Sequence, residues 1–307
     1  MSKIAFLFAG QGAQYVGMGK ALYESSAAAK TVFDMGEAVR PGTMAMCFEG
    51  PGEELTKTIN TQPCLFLTDL ACAMALEEKG IKADMAAGFS LGEIPALAYT
   101  KVLSNEEAFK LVVARGNSMN ECAEKRAGSM VAALKLSNEK VEEVASKFEA
   151  VYPVNYNCPG QVSCAGAVEE LDAFADAIKA EGGRAVKIAV SGAFHTPFMA
   201  DAADVLKAEL ANMTINKPVV DLYANKTGEV YPEGNEAVID TVSTQLCNPV
   251  RWEKTIRNMY DAGVRTFIEV GAGTTLSGLC KKMGYEDITV LNVADVETLD
   301  ATVAALA

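Results

Sequence analysis

A serine set between two glycines, in Gly88-Phe89-Ser90-Leu91-Gly92-Glu93, is the stretch around which the rest of this chain has to be arranged. Neither glycine carries a Cβ, so the backbone can turn sharply enough to push the hydroxyl into the open, the geometry of a nucleophile elbow. The pattern Gly-x-Ser-x-Gly alone is a weak signal. Its context sharpens it: apolar residues precede it, and Leu91-Gly-Glu-Ile-Pro-Ala-Leu-Ala can open a helix whose N-terminal end favours a developing negative charge. A serine alcohol needs a base to become a nucleophile, and the chain has a single histidine, His195. Either that imidazole serves Ser90 or the elbow is idle.

At 307 residues the chain can bury a sizeable core as one large domain or as a domain carrying an insert. Its formal net charge of −13 weighs against general nucleic-acid binding, so an acidic partner has to meet a local basic patch. No apolar run approaches the roughly 20 residues of a membrane span. Lys3 is followed by Ile-Ala-Phe-Leu-Phe and then at once by glycines, which is the length of a strand and not of a signal peptide. Eight cysteines are scattered without a Cys-x-x-Cys pair, several within apolar runs. They read as reduced core thiols of a cytoplasmic protein, and with one histidine a catalytic metal site is not expected.

Taken in order, Lys3 to Ala9 reads as a buried first strand ending in Gly10-Gln11-Gly12-Ala13-Gln14, a turn rich in backbone amides. A dinucleotide loop is rejected there, because the sixth position of Gly-x-Gly-x-x-Gly is Tyr15. Helical patterns run through about 20–39 and 62–79. Ser104-Asn-Glu-Glu107 is a capping-box start to a helix running to about Cys122, whose apolar stripe is interrupted by Arg115. By periodicity alone Arg115 either snorkels at the stripe's edge, bonds a neighbouring Glu, or does something a buried charge is needed for.

From about 128 to 190 the pattern becomes strand Met130–Leu134, helix Glu139–Phe148, strand Val151–Tyr156, strand Gln161–Ala165, helix Val168–Ala180 and strand Ala185–Val190. That βαββαβ order is ferredoxin-like, with Asn157-Cys-Pro-Gly160 as the hairpin turn. It predicts an inserted small subdomain over 126–192 within a discontinuous large one over 1–125 and 193–307, and a cleft between them. Ser191-Gly-Ala-Phe-His195-Thr-Pro leaves the insert, so His195 sits at a glycine-bearing junction and not on an apolar face. Further on come strand Val219–Tyr223, a helix through Ala262, and strand Thr266–Val270 leading into Gly271-Ala-Gly-Thr-Thr-Leu-Ser-Gly278. With Leu276 in the sixth position, this last loop reads as a strand-to-helix turn and not as a nucleotide fingerprint.

Together, Gly10-Gln-Gly-Ala-Gln14, Gly88-Phe-Ser-Leu-Gly-Glu93, Arg115-Gly116, Asn155-Tyr-Asn157 with Pro159-Gly-Gln161, Gly-Ala-Phe-His195 and Gln245-Leu-x-Asn-Pro-Val-x-Trp252 resemble the malonyl-CoA:acyl-carrier-protein transacylase family, over nearly the whole chain and in order. The resemblance implies an α/β fold: an α/β-hydrolase-like large subdomain with an inserted ferredoxin-like small one. It also implies an acyltransferase that moves malonyl from malonyl-CoA to the phosphopantetheine thiol of acyl carrier protein through a malonyl ester on Ser90, feeding fatty-acid or polyketide chain elongation. No resident cofactor is expected. One position departs from the family: most members carry histidine before the nucleophile, and Phe89 stands there.

For the site, the resemblance implies His195 as the base, the backbone N–H groups of Gln11 and Leu91 as oxyanion donors, and an imidazole oriented by the backbone carbonyl of Gln245. It gives Arg115 a reason to interrupt its stripe, since a planar fork matches a malonyl carboxylate. Phe194 would exclude an α-methyl branch, Met119 would line the acyl pocket, and Asn157 and Gln161 are weaker cleft candidates. Arg184, Lys187, Lys281 and Lys282 are candidate contacts for an acidic carrier. Two other readings stay open: a serine hydrolase or thioesterase, in which water takes the acyl group, and a non-catalytic carrier-docking subunit.

Overall fold

Residues 4–8 are apolar without alternation, the pattern of a strand covered on both faces, and that strand lies at the centre of a parallel sheet. The computed structural model describes residues 3–190 and 192–307; Ser191, expected at the exit from the insert, lies outside the described residues. The strands are β1 (Lys3–Phe8), β2 (Met85–Gly88), β3 (Gly128–Leu134), β4 (Val151–Cys158), β5 (Gln161–Ala167), β6 (Arg184–Ile188), β7 (Asp221–Tyr223), β8 (Val264–Val270) and β9 (Thr289–Val293). One sheet has the order β7-β2-β1-β8-β9 with every pairing parallel; the other has the order β4-β5-β3-β6 with every pairing antiparallel. The fold is therefore mixed α/β, with a parallel sheet and a separate antiparallel one.

Helices cover both faces of the parallel sheet, as crossovers between parallel strands require. One side holds the long helices Thr58–Glu78 and Asn105–Lys125, whose residues Phe66 and Phe109 pack with tilted rings, centroids 5.5 Å apart. The other side is built around Trp252, Phe267 and Met259. The antiparallel sheet has its own core, Val131, Val141, Val144, Val162, Phe174 and Ile178, packed beneath helices Asn138–Ala145 and Val168–Ala180. No helix among the described residues is long and apolar enough to cross a membrane.

Several boundaries differ from the sequence expectation for local reasons. The helical pattern over 20–39 is two helices, Lys20–Ser25 and Ala27–Val39, because Ser26 turns extended and caps the second by accepting from the Ala29 N–H. The next long helix starts at Thr58, four residues early, and carries Pro63 inside its second turn. Strand β6 stops at Ile188 instead of Val190, and β7 begins at Asp221 instead of Val219, both at sheet edges where pairing ends. The capping box at Ser104 and Glu107 forms as its spacing predicts. The loop after β8 is filled from within: Glu269 accepts the N–H groups of Leu276 (2.9 Å) and Ser277 (2.7 Å), so a carboxylate of the strand itself occupies the amides a phosphate would use.

The elbow follows β2 directly. Ser90 has φ 53°, a left-handed conformation that costs a non-glycine residue about 1–3 kcal/mol and persists only where its surroundings over-determine it. The surroundings do so. A Cβ on Gly88 would overlap the Gly92 carbonyl, and one on Gly92 would overlap the Phe8 carbonyl of the central strand. Gly92→Ala should therefore destabilise the protein by about 1–3 kcal/mol in urea denaturation. Gly278→Ala, in a helix with open space at its Cβ, should be neutral or stabilising. Equal urea midpoints for the two variants would contradict this account of the turn.

Candidate active site

Ser90 and His195 are 105 residues apart and meet side chain to side chain, with Ser90 Oγ 2.7 Å from His195 Nε2. Two clamps hold the serine. Its own N–H donates to Asn225 Oδ1 at 2.6 Å, and Asn225 Nδ2 donates to the Gly88 carbonyl at 2.5 Å, so one amide bridges the elbow from strand to turn. His195 is itself left-handed (φ 63°) and 3% exposed. Its Nδ1 lies 3.0 Å from the Gln245 carbonyl oxygen, which can only accept; the proton therefore belongs on Nδ1 and the lone pair on Nε2 faces the serine.

Burial, then the Arg115 charge, lower the His195 pKa to about 4, while the bond to Gln245 opposes them. The imidazole is thus neutral across the physiological range, the state a general base needs. The cysteines contribute nothing comparable: all eight are free thiols, and those whose pKa moves are pushed up, at Cys64 first by its contact with Cys47 and at Cys72, Cys164 and Cys280 first by burial.

Arg115 is 1% exposed. It neither snorkels to water nor bonds a Glu, the two bland readings of its place in the helix. Nη1 donates to Gln62 Oε1 at 2.9 Å, and Nη2 donates to Gln245 Oε1 at 3.0 Å and to Ser90 Oγ at 3.3 Å. Its Nε–H finds no partner among the described residues. Burial lowers its pKa to about 10, with the charge on Glu93 working the other way, so it stays cationic at neutral pH. A buried guanidinium held only by neutral oxygens, beside a serine hydroxyl, has the charge and the planar fork to receive a carboxylate.

These groups open into a cleft of about 200 Å³ between the two sheets, lined from one side by Ser90, His195 and Arg115 and from the other by Met130, Asn155 and Ile188. The other expected site residues lie along it. Gln11, Met119, Asn157, Gln161 and Phe194 all line the cleft, and Leu91, buried, follows the serine in the turn. The Gln11 side chain bonds Thr58 at 3.3 Å, Asn157 donates to Ser163 at 3.2 Å, and Met119 Sδ accepts from Gln62 Nε2 at 3.3 Å. Phe89 packs its ring edge-on against Trp252 and also lines the cleft.

Of the candidate carrier contacts, Lys187 pairs with Asp172 (2.6 Å) and Lys282 donates to Gln161 Oε1 (3.1 Å) at the cleft; Arg184 and Lys281 are exposed. Sequence reasoning missed Gln62 and Asn225. Gln62 is a polar residue in a helix buried nearly all round, a detectable signal; Asn225, in Asn-Lys-Thr-Gly228, looks like ordinary turn chemistry.

The acyl transferase domain model matches residues 5–301. The malonyl CoA-acyl carrier protein transacylase of Bacillus subtilis is 39% identical over 312 residues, spanning 100% of this chain and 98% of that protein. The Escherichia coli K12 protein of the same name is 37% identical over 289 residues, spanning 92% and 93%. The crystal structure of malonyl CoA-acyl carrier protein transacylase from Clostridium perfringens superposes with a TM-score of 0.95 at 38% identity, covering 99% of this chain and 97% of that one. A malonyl-transacylase solved in complex with its type II PKS acyl-carrier protein superposes with a TM-score of 0.94 at 34% identity, covering 99% and 100%.

The depressed imidazole pKa gives a test that needs no knowledge of substrate. A fluorophosphonate probe should phosphonylate Ser90 at a nearly constant rate from pH 8 down to pH 5.5, because a base titrating at about 4 is still neutral there. A base with the ordinary histidine pKa of about 6.5 would slow roughly tenfold over that interval. A tenfold fall would contradict the buried, neutral His195.

Proposed function

The chain belongs to the acyl transferase family, within it to the malonyl-CoA:acyl-carrier-protein transacylases, and from that premise we propose that it moves the malonyl group of malonyl-CoA to the phosphopantetheine thiol of acyl carrier protein. The observation that carries the reading is a buried cation, Arg115, 3.3 Å from a serine that is itself 2.7 Å from a neutral histidine. An acyl group ester-linked to Ser90 and carrying a second carboxylate can be held at both ends.

In the proposed sequence Ser90 Oγ attacks the thioester carbon while His195 Nε2 takes its proton, and Nδ1–H keeps its bond to the Gln245 carbonyl throughout. The tetrahedral oxyanion is held by the backbone N–H groups of Leu91 and Gln11; losing such a donor costs about 3–4 kcal/mol of barrier. Collapse expels the coenzyme A sulfur, which takes the proton from the imidazolium, and leaves malonyl on Ser90. The carrier thiol then attacks the ester, gives its proton to His195, and departs as the malonyl thioester when the serine oxygen recovers that proton. Coenzyme A and phosphopantetheine are parts of the two substrates, and no resident cofactor enters. Gln245 acts through its carbonyl, so no acidic third member is required.

The same residues account for selectivity. Arg115 supplies the counter-charge for the malonyl carboxylate, and Phe194 and Met119 wall the space where an α-branch would stand. Asn157 and Gln161 border the thioester's approach. The strand order β4-β5-β3-β6, with a helix after its first and third strands in sequence, supports a ferredoxin-like small subdomain over 126–192. The parallel sheet with a serine elbow supports an α/β-hydrolase-like large one over 1–125 and 193–307. A cytoplasmic location, where malonyl-CoA and reduced thiols coexist, fits the eight free cysteines.

Malonyl-CoA should add one malonyl group to the Ser90 peptide, stable until holo acyl carrier protein discharges it, as read by intact and peptide mass spectrometry. Arg115→Ala should lower kcat/KM for malonyl-CoA by about 2–5 kcal/mol while sparing acetyl transfer. Release of free malonate without carrier would favour a hydrolase, and absence of any adduct would favour a docking subunit. Equal loss of malonyl and acetyl rates would remove the carboxylate role from Arg115.

A further inference from the structure

Glu93 has no task in this mechanism, yet it is 1% exposed and placed three residues after the nucleophile. A buried carboxylate is costly unless donors surround it, and here three do. Its Oε1 accepts from the Tyr231 hydroxyl; its Oε2 accepts from Gln245 Nε2 at 2.7 Å and from the Asn225 N–H at 3.2 Å. Two of those donors belong to residues that hold the reactive groups. Asn225 clamps the elbow, and Gln245 touches Ser90, Arg115 and His195 at once.

The two ends of a glutamine amide have almost the same shape and opposite hydrogen-bonding character. As found, Gln245 Nε2 donates to Glu93 and to the Ser90 carbonyl (2.8 Å), which leaves Oε1 to accept from Arg115. Turned by 180°, the amide would set oxygen against two acceptors and an NH₂ against a guanidinium that only donates. The Ser90 carbonyl alone resists that turn with one neutral bond; Glu93 adds a carboxylate oxygen on the same side. Building on the malonyl-transfer reading, we propose that Glu93 is a positioning residue: it fixes the polarity of the Gln245 amide and so holds Arg115 in the orientation that selects a carboxylate-bearing acyl group.

Burial raises the Glu93 pKa to about 7, against the pull of its donors and of Arg115. The role survives either protonation state. With two donors on Oε2, a proton sits on Oε1 and is shared with Tyr231, and Oε2 still accepts. An isosteric glutamine at 93 can do the same, offering its oxygen to Gln245 and Asn225 and its NH₂ to the phenol oxygen.

The test compares the malonyl-to-acetyl ratio of kcat/KM, measured with the two coenzyme A thioesters on the full chain, for wild type, Glu93→Gln, Glu93→Ala, Gln245→Ala and the Glu93→Ala/Gln245→Ala double variant. General loss of fold lowers both rates and leaves the ratio alone. The proposal expects the ratio to fall about tenfold or more in Glu93→Ala and in Gln245→Ala, to stay within about threefold of wild type in Glu93→Gln, and to fall no further in the double variant than in Gln245→Ala. An unmoved ratio in Glu93→Ala, a Glu93→Gln ratio as low as that of Gln245→Ala, or a double variant at the product of the singles each overturns it. Should Glu93→Ala not fold, the comparison of Glu93→Gln with Gln245→Ala decides alone. A wild type that forms no malonyl ester overturns the functional reading; one that does, with the ratio unmoved, overturns this proposal only.

Discussion

A hydrogen bond of 2.7 Å between Ser90 and His195 joins two residues that both sit in left-handed backbone, φ 53° and 63°, where neither side chain is at ease. At about 1–3 kcal/mol each, the strain is a measurable share of the stability of an ordinary domain. It is sustained because separate parts of the chain hold each end. Asn225, from the loop after the edge strand β7, spans the elbow from Gly88 to Ser90; the Gln245 carbonyl takes the Nδ1 proton of His195. The glycines at 88 and 92 allow the turn to press against the carbonyls of the central strand. Remove any of these and the serine and the imidazole lose their shared line.

Charge is handled with the same economy. Arg115 is bonded to Gln62, Gln245 and the serine oxygen, none of which neutralises it, and its field helps keep His195 unprotonated. The acid that compensates it, Glu93, reaches it through the amide of Gln245 instead of pairing directly. A direct ion pair would bury the cation more comfortably and would also occupy the fork that the proposed malonyl transfer assigns to the acyl carboxylate. Holding a charge with neutral oxygens sacrifices some stability and leaves the cation without a direct counter-ion, as the malonyl-transfer proposal requires.

How far all this could be read beforehand depended on whether the signal was local. The first strand, the glycine-flanked serine, the Ser104 capping box and the βαββαβ succession are written in short windows of sequence, and they appear in the structure with shifts of a few residues. The break at Ser26 was hidden because the apolar period continues across it while the capping oxygen acts on only one turn. Strand β9 gave no distinct pattern, since an edge strand is only partly buried; the helix that follows it does carry one, Val296, Leu299, Val303 and Leu306 at helical spacing behind Asp295, and went unread. The partners of Arg115 could not be foreseen at all. Gln62 and Gln245 lie 53 and 130 residues away, and nothing in either window says that it faces a guanidinium. The break in the apolar stripe announced that Arg115 was unusual; what it met was a property of the packed fold.

The central claim is that one imidazole deprotonates one alcohol, and single-turnover acylation of His195→Asn by malonyl-CoA tests it most directly. Asparagine tolerates the left-handed backbone at 195 and removes the base without adding strain. The account predicts that formation of the malonyl ester on Ser90 slows by about 10²- to 10⁴-fold while the protein keeps its fold. Acylation at close to the wild-type rate would contradict it.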